Sequence, residues 1–159
     1  MDPRYKITTL EAIARQRAQI ATLAVINGCF DLLHRGHCEL LNRAARYGTL
    51  LVLLNSDRSV RENKGAERPI VPEADRAYML ACMEAVRFVV LFDTLRITDQ
   101  LRRLRPDIYL HGEDRQHSQP REERALLQAL GTVTIWLPVV PGLSTTRVIE
   151  RIRLDGPCS

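Results

Sequence analysis

Two histidines, His34 and His37, stand three residues apart in "NGCFDLLHRGH" (Asn27 to His37), together with the acid Asp31 and the glycines Gly28 and Gly36. The stretch follows directly on an apolar run, Leu23-Ala-Val-Ile26. At this spacing both imidazoles can face one side and donate to the same phosphoryl group. Gly28 permits a tight backbone and Gly36 lets the chain come close to a ligand. His37 falls in the first turn of the helix predicted next, where unpaired N–H groups and the dipole favour an anion. That is phosphate chemistry. Two other readings compete with it. Cys29, His34, His37 and Cys38 have the chemistry of zinc ligands, but the adjacent His37 and Cys38 diverge by about 100° around a helix and match no ordinary zinc spacing. The histidines could also simply cap or pack.

Further along, Gly142 precedes Ser144-Thr145-Thr146, and these open a predicted helix. Hydroxyls and backbone N–H groups at such a start make a second anion site, and a plain N-cap would look the same. Lys64 lies in the polar stretch 56–71, read as a long loop able to close over phosphates, or as a solvated surface lysine. Arg76 either reaches a phosphate or pairs with Glu73 one turn before it.

The elements that must position these residues follow from the apolar pattern. Residues 10–19 read as an N-terminal helix capped by Thr8 or Thr9. Short β-type runs at 22–27, 50–55, 87–92, 107–112 and 132–138 alternate with helical stretches at 36–47, 72–83, 97–104, 121–130 and 144–153. Continuous apolar strands between helices predict a five-stranded parallel sheet covered on both faces, an α/β doubly wound fold. The long connections 56–71 and 113–120 both leave strand C-terminal ends, where open α/β sheets bind ligands. We expect a helical extension over 1–20 and a single catalytic domain over 21–159.

Bulk properties narrow the classes. With 159 residues, 45% hydrophobic, the chain can bury a core without disulfides. Cys29, Cys38, Cys82 and Cys158 lack CxxC spacing, which predicts free thiols. No apolar stretch is long enough for a membrane span, and the charged start lacks a signal-peptide core, which predicts a cytoplasmic protein. The net charge of +4 is carried mostly by arginine, suited to phosphate or carboxylate partners. Because bases and acids are interleaved, the charge argues against nucleic acid.

"NGCFDLLHRGH" resembles the G-x-F-D-x-x-H-x-G-H signature of the cytidylyltransferase-like nucleotidyltransferases. The resemblance continues through "NSD" (Asn55 to Asp57), "KGAERPI" (Lys64 to Ile70), "EADR" (Glu73 to Arg76), "RPDIYLHGED" (Arg105 to Asp114) and "GLSTTRVIERI" (Gly142 to Ile152). It implies a Rossmann-like sheet in which His34 and His37 hold the nucleotide phosphates and stabilise the transition state, Lys64 contacts phosphate, and Ser144, Thr145 and Thr146 bind the triphosphate. It further implies a nucleotide site that includes Asn27, Gly28, Cys29, Phe30, Asp31, Gly36, His111, Gly112, Asp114 and Gly142, and a substrate site at Asn55, Asp57, Arg68 and Arg76.

Within the family the motifs look most like the branch of lipopolysaccharide biosynthesis that joins heptose 1-phosphate to the AMP part of ATP, giving ADP-heptose. Mg²⁺ would accompany the triphosphate, a separate sugar kinase would supply the acceptor, and a homodimer is possible. Two departures stand out. That branch carries lysine-glycine-glycine-aspartate-tyrosine where this chain has His111-Gly-Glu-Asp-Arg115. Val139 stands where glycerol-phosphate cytidylyltransferases carry an arginine, which weakens an alternative reading with CTP and a polyol phosphate. A non-catalytic nucleotide-sensing or nucleic-acid-binding domain is the alternative of another class.

Overall fold

A computed structural model describes residues 2–154. The strands are β1 (Ile7–Thr8), β2 (Leu23–Gly28), β3 (Thr49–Asn55), β4 (Phe88–Phe92), β5 (Ile108–Gly112) and β6 (Val133–Leu137). The helices are α1 (Leu10–Gln16), α2 (Arg35–Ala44), α3 (Asp57–Lys64), α4 (Glu73–Cys82), α5 (Thr98–Leu104), α6 (Arg121–Leu130) and α7 (Thr145–Leu154). All strand pairs are parallel, in the order β1-β4-β3-β2-β5-β6.

The apolar runs are strands because both of their faces are covered. Ala24, Ile26, Leu50, Val52 and Leu54 pack with Leu41 of α2 and Leu80 of α4. Leu23, Val25, Leu51 and Leu53 pack with Ile13 of α1, Leu101 of α5 and Leu127 of α6. Alternate residues of one strand therefore enter different cores, which is why the runs read as continuous rather than alternating.

Two features differ from the sequence expectation. The sheet has six strands, not five, because Ile7 and Thr8 pair with Val89 and Val90 at the edge of β4. A two-residue strand has no periodicity to read, and its existence depends on a partner eighty residues away. The stretch 56–71 is not all loop, since its first half is α3, capped by Ser56, whose hydroxyl accepts from the Ser59 N–H at 3.1 Å. Only Ser59 and Val60 of α3 are buried, so the helix has no apolar stripe to announce it.

Thr9 is the cap of α1, accepting from the Ala12 N–H at 3.2 Å. Cys29, Cys38 and Cys82 are free thiols, and Cys158 lies outside the described residues. Among the described residues no helix is long and apolar enough to cross a membrane.

Candidate active site

In the sheet order, β2 stands between β3 and β5, so the chain runs outward from β2 in both directions. This is the switch point of a doubly wound sheet, where a crevice opens beyond the strand ends. A cavity of about 270 Å³ lies there. Asn27 to Asp31, His34, Gly36, His37, Lys64 and Arg68 line it from the β2 and α3 side. His111, Gly112, Asp114 and Ser144 to Thr146 line it from β5 and α7. Gly142 lies just outside, with a φ of 77° in the left-handed region that favours glycine, on the approach to α7.

Both histidines are fixed by the helix they begin. The Nδ1 of His34, the N-cap of α2, accepts from the Gly36 N–H at 3.1 Å, and the Nδ1 of His37 accepts from the His34 N–H at 3.4 Å. A ring nitrogen that accepts carries no proton, so each neutral ring keeps its proton on Nε2. The rings stack with centroids 3.9 Å apart. Capping and phosphate binding are thus compatible: Nδ1 caps the helix and an Nε2–H remains available. Burial, then the charges of His34 and Lys64, push the His37 pKa down to about 4, and burial also lowers that of His34. Near neutral pH both rings are uncharged donors. A Cβ on Gly36 would come within 3.0 Å of the His34 ring, so glycine is what lets this ring lie over the helix start.

Asp31 is part of the cavity lining, but its carboxylate is engaged within the protein. Its carboxylate, 1% exposed, accepts from Arg68 Nε at 2.7 Å and from the backbone N–H groups of Ile70 and Val71, both at 2.9 Å. Its own carbonyl accepts from the Thr145 hydroxyl at 2.7 Å. One residue therefore ties the loop before α4 and the start of α7 to the histidine motif. Its neighbours Phe30 and Leu32 have φ of 47° and 48°. Such left-handed residues cost on the order of 1–3 kcal/mol each and persist only where surrounding bonds over-determine them. Burial would raise the Asp31 pKa, but the Val71 and Ile70 N–H groups and Arg68 together hold it below its usual value. This stabilisation is present above the ordinary carboxylate pKa and is lost as pH falls through the lower folded value. Asp31→Asn should cost about 3 kcal/mol and lower the melting midpoint by roughly 6–12 °C. A midpoint within about 2 °C of wild type would remove Asp31 from this role.

Asn55, Asp57 and Arg76 do not line the cavity. Arg76 neither reaches a phosphate site nor pairs with Glu73. Its guanidinium is fully buried and donates to the carbonyls of Val71, Cys29 and Asn55 and to Asp57 Oδ1, at 2.6–2.9 Å. The Glu73 carboxylate instead accepts from the Asp57 N–H at 2.6 Å. The Asn55 side chain donates to Ser59 Oγ at 2.9 Å. The "NSD" and "EADR" segments thus brace the cavity from behind.

His111 is in the cavity lining but buried, stacked on Trp136 at 4.8 Å with Tyr109 against its edge at 4.4 Å. Its Nε2 lies 3.3 Å from Gln119 Nε2 and 3.4 Å from Glu123 Oε1. The Tyr109 hydroxyl donates to Asn27 Oδ1 at 2.7 Å, linking this cluster to the end of β2. A Cβ on Gly112 would meet Val139 at 2.9 Å and also strike the Asp114 carboxylate, so any larger residue would displace both side chains. Sequence reasoning did not single out Arg115, Val140 and Leu143 as site residues. The apolar ones carry no chemical signal. Arg115 is part of the segment that departs from the heptose-branch pattern.

A cavity built from a helix start with two imidazole donors, opposite a second helix start, at the switch point of a parallel sheet, defines a nucleotide-binding α/β protein. Residues 25–151 match the cytidylyltransferase-like family, and the chain belongs to that family of nucleotidyltransferases. Over 143 residues it is 45% identical to the bifunctional protein HldE of Koribacter versatilis (strain Ellin345), a match covering 89% of this chain and 29% of the relative. It is 40% identical over 157 residues to the bifunctional protein HldE of Geotalea uraniireducens (strain Rf4), covering 96% of this chain and 32% of that one. The chain thus spans about a third of the length of the curated relatives it matches. The fold is shared with a lipopolysaccharide core biosynthesis protein of Thermoplasma volcanium GSS1, with a TM-score of 0.62 and 23% identity over 75% of this chain and 96% of that one.

Proposed function

We propose that this chain transfers the nucleoside monophosphate part of a nucleoside triphosphate, ATP by preference, to a sugar 1-phosphate. By resemblance of "KGAERPI" and "GLSTT" to the heptose-activating branch, the acceptor is heptose 1-phosphate and the product ADP-heptose. An oxygen of the sugar phosphate attacks the α-phosphorus in line, the bond to the bridging β-phosphate oxygen breaks, and pyrophosphate leaves. The attacking oxygen is already anionic, so no strong base is needed and catalysis is positioning and charge stabilisation.

The observation that carries this reading is the pair of Nε2–H donors fixed at the start of α2, in one cavity with the hydroxyls that open α7. Those donors suit the oxygens on which charge grows in the transition state. Val140 and Leu143 offer an apolar surface to a flat base. Magnesium bound with the triphosphate would shield its charge. Such an ion takes one or two carboxylates beside substrate phosphates. Asp114 fits that need, since it lines the cavity and no hydrogen bond or ion pair engages its carboxylate among the described residues, whereas Asp31 is already occupied.

The test is pyrophosphate release with ATP, CTP, GTP and UTP, each against heptose 1-phosphate, other sugar 1-phosphates and glycerol 3-phosphate. ATP with heptose 1-phosphate should give the highest kcat/KM. A preference for CTP with a polyol phosphate would replace this assignment, and nucleotide binding with no release in any combination would refute transfer altogether.

A further inference from the structure

The cationic residues lining the cavity are Lys64, Arg68 and Arg115. Arg68 is neutralised by Asp31 at 2.7 Å. Lys64 and Arg115 have no hydrogen-bond or ion-pair partner for their charged groups among the described residues; only the Arg115 carbonyl is engaged, by Ser118. These two charges reach the cavity from different sides. Lys64 ends α3, which follows β3, and Arg115 ends the short turn after β5, and β3 and β5 are the two neighbours of β2. The histidine motif leaves the end of β2, between them.

In-line transfer at an α-phosphorus places one anion on each side of it, the attacking phosphate and the departing pyrophosphate. A site with one unpaired cation on either flank of its central donors matches that distribution of charge. We propose that Arg115 is a phosphate anchor, its guanidinium binding a phosphoryl oxyanion on the β5 side of the cavity, across from the anion that Lys64 meets. The guanidinium fork suits this, since it can donate two parallel hydrogen bonds to one phosphoryl group. The heptose-activating pattern has a tyrosine where this chain has Arg115. The inference rests on the nucleotidyl-transfer reading. The oxyanion has two possible sources, the triphosphate or the acceptor, and the experiment separates them.

Steady-state kinetics of Arg115→Ala, Arg115→Lys and Arg115→Tyr would be compared with wild type, alongside calorimetric binding of ATP, inorganic pyrophosphate and inorganic phosphate. Arg115 is exposed and its guanidinium has no partner among the described residues, so its variants should melt with the wild type. Arg115→Ala should raise KM for one anionic substrate on the order of tenfold or more, the effect of losing a charge-assisted hydrogen bond. Lysine should recover part of this and tyrosine none. A rise confined to the sugar phosphate assigns the acceptor. A rise confined to ATP, with weaker pyrophosphate binding, assigns the leaving group. Unchanged KM for both substrates, or a tyrosine variant equal to wild type, overturns the proposal. If the wild type releases no pyrophosphate from any triphosphate, the transfer reading itself fails and Arg115 is judged by binding alone. In that case weaker binding of ATP or of either inorganic anion by Arg115→Ala upholds the anchor, and equal or absent binding overturns it.

Discussion

Replacing His37 by alanine should lower kcat for pyrophosphate release on the order of 10²-fold or more while the melting profile shows a folded protein. The effect is large because the lost group is a donor already aimed before the substrate arrives. Its Nδ1 is engaged by the His34 N–H and its ring is stacked on His34, so little reorganisation remains for the transition state. A His37→Ala enzyme turning over within about threefold of wild type would show that charge at the α-phosphate is stabilised elsewhere.

The same residue makes a prediction about pH. With its pKa pushed down to about 4, chiefly by burial, folded His37 stays neutral where the unfolded ring would take up a proton. Protonation therefore favours the unfolded chain as pH falls from about 6.5 toward 4, and the group has no effect on stability above that window. Denaturation midpoints measured across this range should slope downward toward acid, and the slope should shrink in His37→Ala. An equal slope in the variant would assign the acid sensitivity to other groups.

Arg76→Ala should be the most destabilising single substitution discussed, at about 4 kcal/mol. The guanidinium is fully buried, and its removal orphans three carbonyl oxygens, leaves Asp57 without its cation and opens a void. Arg76→Lys should recover little, because an ammonium cannot reproduce a planar fork bridging the ends of β2 and β3 and the approach to α4. Chemical denaturation gives the measure. Loss of turnover in either variant should track loss of folded protein, and a stable but inactive Arg76→Lys would instead indicate direct contact with substrate.

Much of the site was legible because its chemistry is local in sequence. The spacing of His34 and His37, the glycine at 36 and the strand before them specify a helix start suited to an anion, all within a short stretch of the chain. The Ser144 helix start was readable for the same reason. Lys64 reads as a loop residue from sequence because α3, which it ends, is polar around most of its surface. Neither a phosphate contact nor a Glu73 pair describes Arg76, because its partners Cys29, Asn55, Asp57 and Val71 are brought to it only by the fold.

By itself the sequence determined the alternation of buried strands and helices, and with it the parallel sheet and the end at which ligand binds, because burial on both strand faces leaves an unbroken apolar signal. It also pointed to the His34 to His37 turn as a candidate anion site, since backbone N–H groups at a helix start and donor side chains three apart act at short range. Tertiary structure decided which polar residues meet the cavity and which support it. Asp31 and Arg76 are bracing groups because donors and acceptors from distant segments saturate them, and Arg115 reaches the cavity unpaired because β5 lies beside β2. A charged side chain's role depends on its partners, and partners separated by tens of residues are brought together only by the fold.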